Sequence, residues 1–196
     1  QALQDEFVAE GFEAVENTNG TYGVDEVAPV AQIGDVTYAS LQAAVDAASA
    51  APGDYVIELL SDSCDEIVYI TQKEGVNITI TGDEDTPTPF YGVIDVFGDA
   101  RSKGTETLTV KNLAFDKGAN TTDSFIVSRG KDVYGKYSYA HNITVEGCTF
   151  TDSTNSRSIA AVRATSGGAG ISNWSIIDCS ADSSVHSLAQ FTAIDG

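Results

Sequence analysis

Four stretches of the chain after residue 76 alternate hydrophobic and polar residues with the two-residue period of a β-strand. They read NITITGDE (77–84), TLTVKNLAF (107–115), NITVEGCTF (142–150) and NWSIIDCSA (173–181). The second and fourth positions are hydrophobic in all four, and the stretches start 30, 35 and 31 residues apart. Self-similarity at this period is typical of repeat proteins. We therefore expect equivalent positions to lie over one another in stacked units.

A second set of β-like stretches recurs between the first. It comprises SFIVSRG (124–130), SIAAVRATSG (158–167) and SLAQFTAIDG (187–196), with GVIDVFGD (92–99) as an earlier member. The unit contains short strands and no helix, which excludes leucine-rich, ankyrin and tetratricopeptide repeats, and it is too short for a propeller blade. The pattern predicts an all-β fold, a parallel β-helix, in which each strand bonds to its copy about 4.8 Å away.

A helical pattern precedes the repeats. Its hydrophobic residues share one helical face: Leu41, Ala44, Val45 and Ala48. Ser40 suits the N-cap, and Pro52 followed by Gly53 ends the pattern. We predict an amphipathic capping helix of about three turns, from Leu41 to Ala51, that covers the unpaired backbone groups of the first coil.

Residues 1–32 differ from the repeats. The stretch QALQDEFVAEG is typical of a short helix, and FEAVENTNGTYGV of a β-hairpin. We therefore predict two units, a small helix–hairpin element (1–32) and the β-helix (33–196). The chain stops within a strand-like stretch, so we expect further coils in a longer protein.

Charge excludes two classes of partner. The first 100 residues contain 20 of the 29 acidic residues and one of the ten basic residues, Lys73. A strongly acidic surface repels the phosphates of nucleic acids and anionic lipids, so neither is an expected partner. No apolar stretch is long enough to span a bilayer, so membrane insertion is not expected.

Two of the three cysteines, Cys148 and Cys179, occupy the seventh position of successive stretches, where an earlier stretch has Leu113. Stacking would place them in one buried column, where a free thiol packs as a small hydrophobic group. We predict packing and no disulfide. The absence of a CxxC pair argues against zinc, and the DEDTP turn (83–87) does not have the spacing of known calcium loops. No metal or cofactor is expected.

Several stretches resemble the pectin lyase-like superfamily of right-handed parallel β-helices, over residues 36–196. They are TYASLQAAVDAAS, GDYVIELLSD and the NITI and NITV lines. Within it, GFEAVENTNGTYGV followed by VAQIGDVTYASLQAAVDAA is more similar to modular bacterial cell-surface proteins than to the enzymes. The resemblance implies a right-handed coil in a secreted or cell-wall-associated, extracellular protein. It says little about activity, because one fold hosts many functions.

Enzymes of this superfamily act on acidic polysaccharides, and glycoside hydrolysis needs two carboxylates about 5–10 Å apart. Asp152, Asp178 and Asp182 are the candidates, but all three lie at turns, where Asp is common. No acid cluster faces Arg163 in the repeat register, and His141 and His186 are expected at the surface. We therefore predict no catalytic residue.

One segment (129–141, RGKDVYGKYSYAH) makes its repeat the longest and concentrates groups that suit sugar rings and carboxylates. The candidate ligand-binding residues are Arg129, Lys131, Tyr134, Lys136, Tyr137 and Tyr139. The alternative is that the tyrosines fold back on a neighbouring coil with the lysine tips in solvent.

The sequence favours a non-catalytic adhesin-type surface module that binds glycan or a host surface protein. A carbohydrate-active enzyme, such as a polysaccharide lyase, glycoside hydrolase or pectinesterase-like protein, is the alternative, with a site that is weakly marked or lies in further coils. A trimeric phage tail-fibre segment is the third interpretation.

Overall fold

The fold is all-β with parallel sheets. The computed structural model describes residues 12–16, 22–26, 28–98, 105–117, 124–128, 140–154, 160–164 and 171–191. Within these ranges it has eighteen strands and one helix, α1 (Leu41–Ala48). Numbered in chain order, the strands are β1 (Phe12–Glu16), β2 (Tyr22–Glu26), β3 (Ala31–Ile33), β4 (Val36–Tyr38), β5 (Gly53–Leu59), β6 (Ile67–Thr71), β7 (Val76–Thr81), β8 (Thr88–Phe90), β9 (Val93–Phe97), β10 (Thr107–Lys111), β11 (Leu113–Asp116), β12 (Ile126–Ser128), β13 (Ala140–Glu146), β14 (Thr149–Thr151), β15 (Val162–Ala164), β16 (Ile171–Ile177), β17 (Ser180–Ala181) and β18 (Ala189–Phe191).

The strands of the repeats are distributed over three open sheets. The first has the order β16-β13-β10-β7-β5-β3-β4, the second β17-β14-β11-β8, and the third β18-β15-β12-β9-β6. From β7 onward the chain passes through the first, second and third sheets in that order four times. All pairs among these strands are parallel, whereas β3 pairs antiparallel with β4 and β5.

The predicted register is confirmed. Leu108 pairs with both Ile78 and Ile143, and Ile143 pairs with Trp174. The fourth positions of the four stretches pair in the same way, from Ile80 through to Ile176. Inward positions of β7, β10 and β13 are buried and alternate with less buried outward ones. The two-residue period of the sequence therefore separates core from surface.

The predicted hairpin is also confirmed, because β1 and β2 pair antiparallel. The helix expected before it lies outside the described residues. The boundary predicted between residues 32 and 33 falls inside β3, which belongs to the first sheet. The division into two units stays a prediction.

A column of phenylalanines fills the core beneath the second sheet. Phe115 pairs in register with Phe90 and Phe150, and its ring centroid lies 5.0 Å from each of theirs. Phe125 lies beside the column, 5.9 Å from Phe115 and 5.7 Å from Phe150. All four side chains are fully buried. Such offset and tilted ring pairs add to the stabilisation that burial provides.

A single left-handed residue makes the bend between the first and second sheets in three successive passes. Asn112, Gly147 and Asp178 have φ of 57°, 61° and 51°. Asn, Gly and Asp tolerate this conformation better than other residues. The bend stays within the hydrogen-bond network, because Asn112 N–H donates to the Glu146 carbonyl (3.1 Å) and Gly147 N–H to the Ile177 carbonyl (3.0 Å).

Helix α1 packs against β5 and β6 with the predicted face buried. The Ser40 hydroxyl accepts the Ala43 N–H (3.0 Å), as expected of an N-cap. The helix ends at Ala48, one turn earlier than predicted, where the Ser49 N–H donates to the Val45 carbonyl (2.9 Å). Two turns suffice because neighbouring segments complete both ends.

Charged side chains from the segment around β6 complement the helix dipole. The Glu66 carboxylate accepts the N–H groups of Leu41 (2.7 Å) and Gln42 (3.0 Å) at the N-terminus. At the other end, Lys73 Nζ donates to the Ser49 carbonyl (2.9 Å). An anion at the start of a helix and a cation at its end both stabilise it.

One glutamine of α1 bonds the backbone of β6. Gln42 Nε2 donates to the Tyr69 carbonyl (3.1 Å), and Gln42 Oε1 accepts the Tyr69 N–H (2.7 Å). At the outer edge of β6, the side-chain amide thus bonds the Tyr69 backbone groups that a neighbouring strand would otherwise bond.

We expect Glu66→Ala to lower the free energy of unfolding by about 2 kcal/mol, because two helix N–H groups lose a charged acceptor. Glu66→Gln should cost roughly half as much, since one amide oxygen remains as an acceptor. Urea unfolding measures both, with Glu84→Gln in an exposed turn as the control. Equal stabilities of Glu66→Ala and the control would show that the helix does not depend on this carboxylate.

Candidate functional site

The segment with the predicted ligand-binding residues lies outside the described residues. It contains Arg129, Lys131, Tyr134, Lys136, Tyr137 and Tyr139. The chain after it is anchored, because the Gln72 side chain pairs with the His141 backbone: Nε2 donates to the carbonyl (2.6 Å) and Oε1 accepts the N–H (2.8 Å). The six residues remain a prediction.

The three candidate acids lie at turns or bends, and two of them accept hydrogen bonds there. Asp182 Oδ1 accepts the Ser184 N–H (2.8 Å) and the Ser184 hydroxyl, and these bonds lower the pKa of Asp182. Asp152 is buried and accepts the Thr154 hydroxyl (2.6 Å). Asp178 forms the left-handed bend before β17. A general acid needs a raised pKa, so the lowered pKa of Asp182 does not suit that role.

In the DEDTP turn, a carboxylate also accepts hydrogen bonds within the turn. Asp83 Oδ1 accepts the N–H groups of Asp85 (2.9 Å) and Thr86 (2.8 Å), an Asx turn. In the described part of the chain, no group of three or more His, Cys, Asp or Glu residues is arranged to hold a metal ion.

The outer face of the third sheet contains an acid that the sequence analysis missed. Asp95 lies in the same column as Arg163, two strands away, with Val127 between them. The column of Arg163 thus contains one acid, which is not part of a cluster and is not on an adjacent strand. The signal in the sequence was a single acid inside the apolar run VIDVF. Asp95 is only 2% exposed, which distinguishes it from a solvated surface carboxylate.

The outer face of the first sheet presents two adjacent columns of mostly amide and hydroxyl side chains, which we call the polar ladder. The first column follows from the pairing register and contains Asp54, Asn77, Thr107, Asn142 and Asn173. The second contains Val56, Thr79, Thr109, Thr144 and Ser175. All are half-buried or exposed, so the ladder faces solvent across five strands.

Hydrogen bonds between successive strands hold the first column in place. Asn77 Nδ2 donates to Asp54 Oδ1 (2.7 Å), and Asn77 Oδ1 accepts the Thr107 hydroxyl (3.0 Å). Farther along, Asn173 Nδ2 donates to Asn142 Oδ1 (2.9 Å). These bonds restrict the rotamers of the amides before any ligand arrives. Binding then costs less side-chain entropy than it would on a surface of free side chains.

The second column supplies hydroxyl groups at the strand spacing of about 4.8 Å. Each hydroxyl donates one hydrogen bond and accepts up to two. Apart from Asp54 and Val56 at one end, the two columns of the ladder consist of neutral donors and acceptors, which suit a ligand with many hydroxyl groups. The neighbouring outward column adds charged groups on one side and contains Glu58, Thr81, Lys111, Glu146 and Ile177.

Three sequons begin on the ladder, at Asn77, Asn142 and Asn173. Their amides take part in the contacts just described, and Asn142 Nδ2 also donates to the Glu106 carbonyl (3.0 Å). These bonds give the three asparagines a structural role in the repeat.

No helix within the described ranges is both long and apolar enough to cross a membrane. Comparison of the chain with known protein families, with curated proteins and with solved structures finds no match.

Proposed function

We propose that the chain is a right-handed parallel β-helix of the pectin lyase-like kind and acts as a non-catalytic binding module on the outside of a bacterial cell. The fixed order of the three sheets and the parallel register support the coil. Right-handedness follows the general rule for crossovers between parallel strands. Each pass is then one coil, with α1 across the first.

The polar ladder is the observation that carries the binding function. Its ligand is an extended, hydroxyl-rich glycan that lies along the column and exchanges hydrogen bonds with several strands. The net charge of −19 favours a neutral glycan over an acidic one, because anionic polymers are repelled. A neutral ligand distinguishes the proposed binding module from the alternative, which is an enzyme that acts on acidic polysaccharides.

A paired substitution on the ladder tests the proposal. Thr109→Val with Thr144→Val removes two central hydroxyls but keeps the size and strand preference of the side chains. We expect binding to neutral polysaccharide, measured by affinity electrophoresis and on a glycan array, to weaken at least tenfold, which is about 1.4 kcal/mol. The melting temperature should stay unchanged, because both positions face solvent.

The matched control is Thr71→Val with Thr149→Val, which makes the same chemical change on β6 and β14, in the third and second sheets and away from the ladder. It should bind as the unmodified protein does. A triple variant of Tyr134, Tyr137 and Tyr139 to alanine tests the segment predicted from sequence. Loss of binding in that variant alone would place the site there and contradict the ladder. Release of reducing ends or unsaturated products from any polysaccharide would favour the enzyme instead.

A further inference from the structure

Cys148 and Cys179 are neighbouring thiols on adjacent strands. Each directly precedes a strand of the second sheet, and the next residues, Thr149 and Ser180, pair in register. The Ser180 N–H donates to the Cys148 carbonyl (3.0 Å), which fixes the two backbones side by side. Both cysteines are free.

The two thiols lie in equivalent surroundings in successive passes of the chain. Cys148 Sγ lies 3.7 Å from the Val110 carbonyl oxygen, and Cys179 Sγ lies 3.4 Å from the Val145 carbonyl oxygen. Val110 and Val145 are themselves paired in register. The sulfur atoms therefore occupy one column, as the sequence analysis expected. Neighbouring strands are about 4.8 Å apart, within the Cα separation of disulfides.

The two thiols differ in exposure. Cys148 is fully buried, whereas Cys179, in the last described pass, is half-buried. A hydrogen bond from Cys148 lowers the pKa of Cys179 to about 7, and the same interaction, with burial, raises the pKa of Cys148. For comparison, burial raises the pKa of Cys64 to about 11. Thiolate character and access together select the attacking thiol, and Cys179 has both.

We propose that Cys148 and Cys179 form a modification site for low-molecular-weight disulfides, with Cys179 as the attacking thiol and Cys148 as the resolving thiol. The site is independent of the polar ladder and of glycan binding.

The exchange has two steps. The Cys179 thiolate attacks one sulfur of the reagent, whose S–S bond breaks; one half stays on Cys179 as a mixed disulfide, and the other leaves as a thiolate and takes up a proton. Cys148 then loses its proton and attacks Cys179 Sγ, which releases the second half as a thiol. Two protein thiols are oxidised and one reagent disulfide is reduced to two thiols. The product has a disulfide between Cys148 and Cys179, which lie just after β13 and β16.

The folded protein is incubated with oxidised glutathione, and intact mass and peptide mapping follow the products. We expect a transient adduct on Cys179, then a product that lacks two hydrogen atoms and contains a Cys148–Cys179 link. Cys64 should stay unmodified and serves as the internal control. Cys148→Ser should stop at a lasting adduct on Cys179, and Cys179→Ser should not react, because Cys148 is buried.

Several results would overturn the proposal: a lasting glutathione adduct on the unmodified protein, no reaction at Cys179, or modification of Cys64 at a similar rate. Phenylarsine oxide, which binds two adjacent thiols together, provides a test that needs no variant. After treatment of the folded protein, the number of thiols that are titrated in denaturant should fall from three to one. Three titratable thiols after this treatment would show that Cys148 and Cys179 do not act as a pair.

Discussion

Replacing Gly92 by alanine is expected to lower the free energy of unfolding by more than about 4 kcal/mol, or to prevent folding. A Cβ at this position would lie 1.7 Å from the Glu66 carbonyl oxygen and 2.6 Å from the Glu66 carbonyl carbon. The obstruction is backbone, which a rotamer change does not relieve. Hydrogen bonds on both sides hold the two segments together, from Tyr91 N–H to the Cys64 carbonyl (2.6 Å) and from Val93 N–H to the Glu66 carbonyl (3.1 Å).

Gly34→Ala is the matched control for this prediction. Gly34 lies in the turn between β3 and β4 with φ of 58°, and no atom lies within 4 Å of its ideal Cβ. The same substitution there should cost only about 1–2 kcal/mol, for the left-handed conformation alone. Urea unfolding of both variants measures the difference. If Gly92→Ala were no less stable than Gly34→Ala, the close approach of the two backbones would not exist.

Phe115→Ala is expected to cost about 3–5 kcal/mol, the range for truncation of a buried aromatic residue. Phe115 is the centre of the phenylalanine column and contacts the rings of Phe90, Phe125 and Phe150. Its removal leaves a cavity between strands that interstrand bonds hold in place, so the walls collapse little. The loss should appear as a lower urea midpoint with an unchanged slope.

Two substitutions calibrate that result. Phe115→Leu keeps most of the volume and should cost distinctly less than alanine. Tyr91→Ala removes an aromatic side chain that is 40% exposed and should cost under about 1 kcal/mol. A Phe115→Ala variant as stable as Tyr91→Ala would contradict the buried column.

The register was predictable because it depends on one repeated rule. Leu108, Ile143 and Trp174 occupy the same position of successive stretches, and a hydrophobic residue there must point inward for the strand to bury its face. The same rule placed Cys148 beside Cys179. The helix face was predictable from the 3.6-residue period, but its end was not, because Ser49 and Lys73 meet only in the folded chain.

Contacts between residues far apart in the chain could not be predicted from the sequence. Nothing in its periodicity indicates that Glu66 completes the start of α1, or that the Gln72 amide pairs with the His141 backbone 69 residues away. In the sequence, the residues of the polar ladder are recognisable only as sequons and threonines. Only the pairing of the strands shows which of these side chains share one outward face. Asp95 was hidden for the same reason: the pairing of β9 with β12, and of β12 with β15, is what brings it into the column of Arg163.

The contact between Gln42 and Tyr69 has a consequence for self-association. A strand from another molecule cannot add at this point of β6, because the backbone groups it would need are already bonded to the glutamine amide. Edge-to-edge pairing through the third sheet is then less favourable at β6 than at β18, at the opposite end of the strand order. Molecules that join through one end alone form closed two-fold pairs, whereas an open filament needs two complementary ends. By bonding the Tyr69 backbone, Gln42 therefore disfavours filaments that would grow through β6.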